Sequence, residues 1–247
     1  MTALLEEAGK LPKTLVLSVR HLSFRPINER ETDEWRMFSS EYQRMAQRLD
    51  ISVASMREQF PINHYLSMFS VEYLKHGIAM ATQKTALPYG ATTQVNAIDR
   101  DILHADGSLA FSKNHLGTFS EETARTEATA QAEKLSKRKA TLPTDEDAQS
   151  FEKLLKYLLS KGVQPVIAIT PHHPAFWDAI ANENYGRSLS QLEASVKAIA
   201  QKSNAVFVGS FNPQKAGCIE SSFRDYIHLD EVCLKAIFDQ IPPRSAN

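Results

Sequence analysis

The chain has 247 residues, with 28 basic against 29 acidic side chains, a net charge of −1, and 43% hydrophobic residues. That balance suits a folded globular chain and argues against a dedicated nucleic-acid binder, which carries a marked basic excess. Two cysteines, Cys218 and Cys233, exclude a disulfide-dense scaffold and a zinc site of four thiolates.

In chain order, residues 2–8 read as a short helix ended by Gly9, and TLVLSV at 14–19 reads as a buried strand. Residues 30–50 and 52–83 are expected to be mostly helical, with Trp35, Phe38, Tyr42, Met45 and Leu49 recurring at helical spacing. ILH at 102–104 and LAF at 109–111 flank ADGS, which predicts a β-hairpin. Ser120 caps a charged, Ala-rich helix to about Arg138, ending in the basic run KLSKRK, which suits a solvated helix terminus. Thr144 caps the next helix, with an apolar stripe of Phe151, Leu154, Leu155, Leu158 and Leu159, closed by Gly162.

VIAIT at 166–170 is the clearest strand. A loop helix over 175–180, a longer helix over 189–201 and a strand AVFV at 205–208 follow. A long loop then leads to Asp230, the cap of a last helix whose Val232, Cys233, Ala236 and Ile237 are expected to face inward. Alternating apolar strands and helices predict an α/β fold: a doubly wound parallel sheet with a helical and β-hairpin insertion at about 25–120, in one domain spanning 1–247. Ligands of such sheets sit at the carboxyl ends of the strands, which nominates the loops at 20–24, 171–175 and 209–228.

Chemistry concentrates there. Asp225 and His228, three apart, can hydrogen-bond so that the carboxylate fixes the imidazole tautomer and stabilises its cation. Alternatively, Asp225 caps a turn and His228 packs on the last helix. His172 and His173 follow the best strand and are candidates for substrate binding. No carboxylate cluster accompanies them at ligand spacing, so no metal site is assigned. A Pro-bounded loop with local hydrogen bonds is the other reading of the pair. Ser18 and Ser23 lack a Gly-flanked elbow, and nothing near Cys218 predicts an activated thiol. No Gly-rich phosphate loop exists among nine glycines, and no cofactor is expected.

The order of these features resembles the SGNH-hydrolase-like esterases and acyltransferases of bacterial surface-polysaccharide systems. KTLVL at 13–17, LSFRP at 22–26, Asp106-Gly-Ser108, the run LKYLLSKGVQPVIAITPHH with PAFWD after it, and the closing FRDYIHLDE carry the likeness, from about residue 8 to 240. The resemblance implies ester chemistry on an envelope polysaccharide or similar ester, with His228 as general base and Asp225 as its orienter. It implies neither nucleic acid nor cofactor. The family's serine lies in a G-D-S or G-S-S turn after a first, central strand, and that block and the later G-x-N-D block have no counterpart here. In a strand order of 2-1-3-4-5 the loss leaves a gap beside 14–19 or forces a new pairing.

A longer biological protein is therefore expected, or a non-catalytic, carbohydrate-binding remnant using aromatic and polar residues of 89–119. No apolar run reaches the roughly 18 residues of a spanning helix. As written the chain reads as cytoplasmic, whereas an additional N-terminal segment would place it in the periplasm or on a membrane anchor.

Overall fold

A computed structural model describes residues 2–24, 39–51, 102–103, 109–110 and 120–242. The chain divides into two compact units, 1–52 with 120–247, and 53–119. In the second unit β2 (Ile102–Leu103) and β3 (Leu109–Ala110) pair antiparallel, Ile102 opposite Ala110, as the hairpin reading expects. The whole of 52–83, expected to be mostly helical, lies outside the described residues, as do Trp35 and Phe38.

The first unit is α/β. It opens with α1 (Thr2–Glu7), β1 (Thr14–Val19) and α2 (Ser39–Arg48). After the second unit come α3 (Glu121–Leu135), α4 (Asp145–Ser160), β4 (Gln164–Ile169), α5 (Pro174–Ile180), α6 (Asn184–Lys202), β5 (Val206–Gly209), α7 (Pro213–Ala216) and α8 (Glu231–Phe238). The strands form one parallel sheet in the order β1-β4-β5. Among the described residues no helix is long and apolar enough to cross a membrane.

Helix ends follow their local chemistry. Thr144 and Asp147 form a reciprocal capping box, Oγ1 accepting from the Asp147 amide at 3.1 Å and Oδ2 from the Thr144 amide at 2.9 Å. Gly162, at φ +74°, ends that helix in the left-handed conformation. Along α3, Ala124, Ala128 and Ala132 are buried at four-residue spacing, where small side chains let α3 approach α5 closely.

Strand alternation sorts the core into two layers. Ile167 and Ile169 of β4 point to the face that α6 covers, with Leu189, Leu192, Val196 and Phe176. Val166 and Ala168 point to the opposite face, against Val208, Ala216, Phe223, Cys233 and Ile237. A strand buried on both faces needs a continuous apolar run, which is why β4 was legible. Gly209 ends β5 at φ +78°, and a Cβ there would lie 2.1 Å from the Ile169 carbonyl oxygen, so only glycine fits.

Three expectations are corrected. β1 is not buried throughout: Leu17 and Val19 pack on the core, while Thr14, Val16 and Ser18 on the other face are exposed, as suits an edge strand. Val232 is 69% exposed. Cys233 and Ile237, four apart on α8, take the inward face, and Val232 lies about 100° round the helix from Cys233. α6 starts at Asn184, well before 189, because Gly186 turns its first turn against α5; a Cβ there would meet the Ile180 carbonyl oxygen at 2.2 Å.

β1 and β4 are hydrogen-bonded neighbours from Thr14 opposite Gln164 to Val19 opposite Ile169, so no strand lies between them.

Candidate active site

The carboxyl ends of β4 and β5 are stitched to the long final loop through the backbone. The His172 amide donates to the Phe211 carbonyl at 3.1 Å and the His173 amide to the Tyr226 carbonyl at 2.9 Å. Within the loop, Phe223 and Leu229 form an antiparallel bridge, and the Arg224 amide donates to the His228 carbonyl at 2.9 Å. The turn between them brings Asp225 and His228 to this edge.

Asp225 does two things at once. Its Oδ1 accepts from the amides of Ile227 at 2.8 Å and His228 at 2.7 Å, which makes it a turn cap. Its Oδ2 is hydrogen-bonded to Nδ1 of the His228 ring. The Asp225 side chain is only 17% exposed whereas His228 is 71% exposed, so the imidazole stands in solvent on a shielded carboxylate. Partial burial pushes the Asp225 carboxyl up, yet the His228 ring bond and the two amides together outweigh it and hold it below the ordinary carboxylate range. Asp225 thus caps its turn and also engages the His228 ring, whereas His228 does not pack inward.

His172 and His173 sit inside the protein instead. His172 stacks on Phe176, ring centroids 4.8 Å apart at 15°, and its Nδ1 is buried without a hydrogen-bond partner. Burial, helped by the nearby His21, lowers its pKa to about 3, against an opposing backbone hydrogen bond at Phe211. It therefore stays neutral at ordinary pH. His173 caps α5, its Nδ1 accepting from the Ala175 amide at 3.1 Å. Burial lowers its pKa too, opposed chiefly by Glu220, whose Oε1 lies 3.8 Å from Nε2. His173 thus takes the local role that a Pro-bounded loop implies, whereas His172 is tied to Phe211, and neither ring is presented to solvent.

The buried His172 has a thermodynamic consequence. Its folded pKa of about 3 lies below the ordinary value of 6.5, so the unfolded chain binds its proton first as pH falls. This residue's contribution is expected to erode folding stability from about pH 6.5 down to about pH 3 and then level off. Urea titrations of wild type and His172→Phe over that range check it. The acid-side slope should be shallower in the variant, and an unchanged slope would refute the assignment.

Sequence reading missed three features. Cys218 and Cys233 are joined in a disulfide, which removes Cys218 as a thiol nucleophile. The pairing was not read because each cysteine was weighed singly; their placement at the two ends of one loop was the available signal. Arg125 on α3 grips Glu220 through two hydrogen bonds at 2.5 and 2.6 Å, a contact 95 residues apart in sequence. Phe176 underlies the whole edge, touching His172, Tyr185 and Tyr226.

Two serine hydroxyls near the edge are engaged elsewhere. Ser23 Oγ accepts from the Arg20 amide at 2.9 Å, and Ser210 Oγ donates to Glu193 at 2.8 Å. Among the described residues no hydroxyl hydrogen-bonds the His228 ring, and no three His, Cys, Asp or Glu side chains converge as a metal site. A cavity of about 440 Å³ lies between α6 and the end of β5, lined by Glu193, Lys197, Phe207, Lys215 and Gln240 and not by the Asp225–His228 pair.

No protein-family model, curated protein or solved structure matches the chain.

Proposed function

We propose that Asp225 and His228 form the acid–base half of an ester-processing site of the SGNH type, a hydrolase or O-acyltransferase for a cell-envelope polysaccharide or similar ester. One observation carries the reading: Asp225 engages Nδ1 while the His228 ring stays 71% exposed. With the proton on Nδ1, Nε2 is a free acceptor at the solvent face. It can take the proton of an attacking hydroxyl, from water or an acceptor sugar, as that oxygen bonds to the acyl carbon. The imidazolium so formed is stabilised by Asp225, and returns its proton to the departing alkoxide. No serine nucleophile or oxyanion donor is assigned, so turnover is expected to be slow; even one missing donor costs about 10²–10³-fold.

A second reading, a non-catalytic carbohydrate-binding module of the same fold, is favoured by the direct pairing of β1 with β4, which leaves no strand between them to carry the family's serine turn. The disulfide supports the periplasmic alternative, since such bonds persist in oxidising compartments.

Hydrolysis of p-nitrophenyl acetate by wild type and Asp225→Asn separates the readings. Measurable turnover that falls by about 10²–10⁴-fold in the variant supports the ester site. No turnover in either chain supports the binding module.

A further inference from the structure

The Cys218–Cys233 bond closes the segment that carries both Asp225 and His228. One end, Cys218, follows α7, its amide donating to the Pro213 carbonyl at 2.9 Å. The other, Cys233, lies in the first turn of α8, where its amide donates to Asp230 Oδ1 at 2.9 Å. Between these two anchors run the short helical turn Glu220–Ser222, the Phe223–Leu229 bridge and the Asp225 turn.

The loop's other side-chain ties to the rest of the molecule are noncovalent. Arg125 holds Glu220, but its side chain is 58% exposed, and an exposed ion pair contributes little. One backbone bond joins Tyr226 to His173, the Tyr226 ring meets Phe176 at 5.7 Å, and Phe223 and Leu229 pack in the core layer that holds Cys233. The covalent closure of a loop with a separation of 15 residues restricts the open ensemble by about 100-fold, and it persists when the noncovalent contacts open.

The sheet itself does not need the bond. Cys218 and Cys233 are 5% and 1% exposed, among Val166, Ala168, Val208 and Ile237. As thiols they would remain small apolar groups in the same layer. Oxidation therefore bears on the loop more than on the core.

We infer that the site matures by oxidation: forming the Cys218–Cys233 bond fixes the loop and so holds His228 on Asp225. The inference rests on reading that pair as the base of an ester site. In the step, the two thiols give two electrons and two protons to a disulfide oxidant. The oxidant's S–S bond breaks and leaves as two thiols, while one S–S bond forms between Cys218 and Cys233. Burial of both sulfurs then shields the product from reductants.

The test compares the oxidised chain, the same chain kept reduced with dithiothreitol, and Cys218→Ala/Cys233→Ala, each checked for thiol content by mass. The expected result is an unchanged far-UV spectrum in all three. Amides of 219–232 should exchange about 100-fold faster without the bond, and the His228 Nδ1 proton signal should be lost. Exchange within about threefold across the three forms would overturn the inference. So would collapse of the far-UV spectrum in both unbridged forms, because the bond would then serve the core. Ester turnover is read alongside: its absence in the oxidised chain counts against the ester site, while the exchange contrast decides the role of the disulfide.

Discussion

His228→Ala is expected to lower p-nitrophenyl acetate turnover by about 10²–10⁴-fold, the range supplied by a positioned general base. The effect follows from how the ring is held. Asp225 is tied to its own turn by the Ile227 and His228 amides, so its carboxylate cannot swing away without breaking the loop's hydrogen bonds. That rigidity orients the imidazole through Nδ1 and leaves the opposite nitrogen toward solvent. Because His228 is exposed, its removal leaves no cavity, and the variant should unfold at the wild-type urea midpoint. Loss of rate without loss of stability is the signature expected. Equal turnover in wild type and variant would place any esterase activity elsewhere on the chain.

Phe176→Ala is expected to have the opposite profile, a loss of about 3–5 kcal/mol in folding stability. Phe176 is fully buried on α5 and joins the upper core to the carboxyl edge. Its ring stacks on His172 at 4.8 Å and meets Tyr226 at 5.7 Å and Tyr185 at 6.3 Å. Truncation removes the transfer free energy of the ring and leaves a void ringed by aromatic side chains that cannot collapse together without moving their backbones. It also strips the stacking partner from His172, whose Nδ1 already lacks a hydrogen bond. Urea unfolding monitored by far-UV circular dichroism measures the effect. A loss below about 1 kcal/mol would mean that the ring is not packed as described.

What could be read directly from the sequence was local. The β4 strand announces itself because both of its faces are buried, and Thr144 and Gly162 announce the ends of α4 by their capping chemistry. Asp225 and His228 were readable because three residues separate them and a turn is enough to bring them together. What escaped depends on partners distant in sequence. The exposure of Val16 follows from β1 being an edge, which pairing order alone decides. The Glu220 carboxylate is held from α3, and the burial of His172 and His173 is completed by Phe211 and Phe223 from another segment.

The central claim is that Asp225 sets the protonation pattern of His228. Long-range ¹H–¹⁵N correlation of the histidine side chains, above the pH at which the ring is cationic, reads that pattern directly. The account predicts that His228 carries its proton on Nδ1, with Nε2 unprotonated, and that Asp225→Asn disperses this into a mixture of tautomers. A His228 ring protonated on Nε2 in the wild type, or a pattern unmoved by Asp225→Asn, would contradict it.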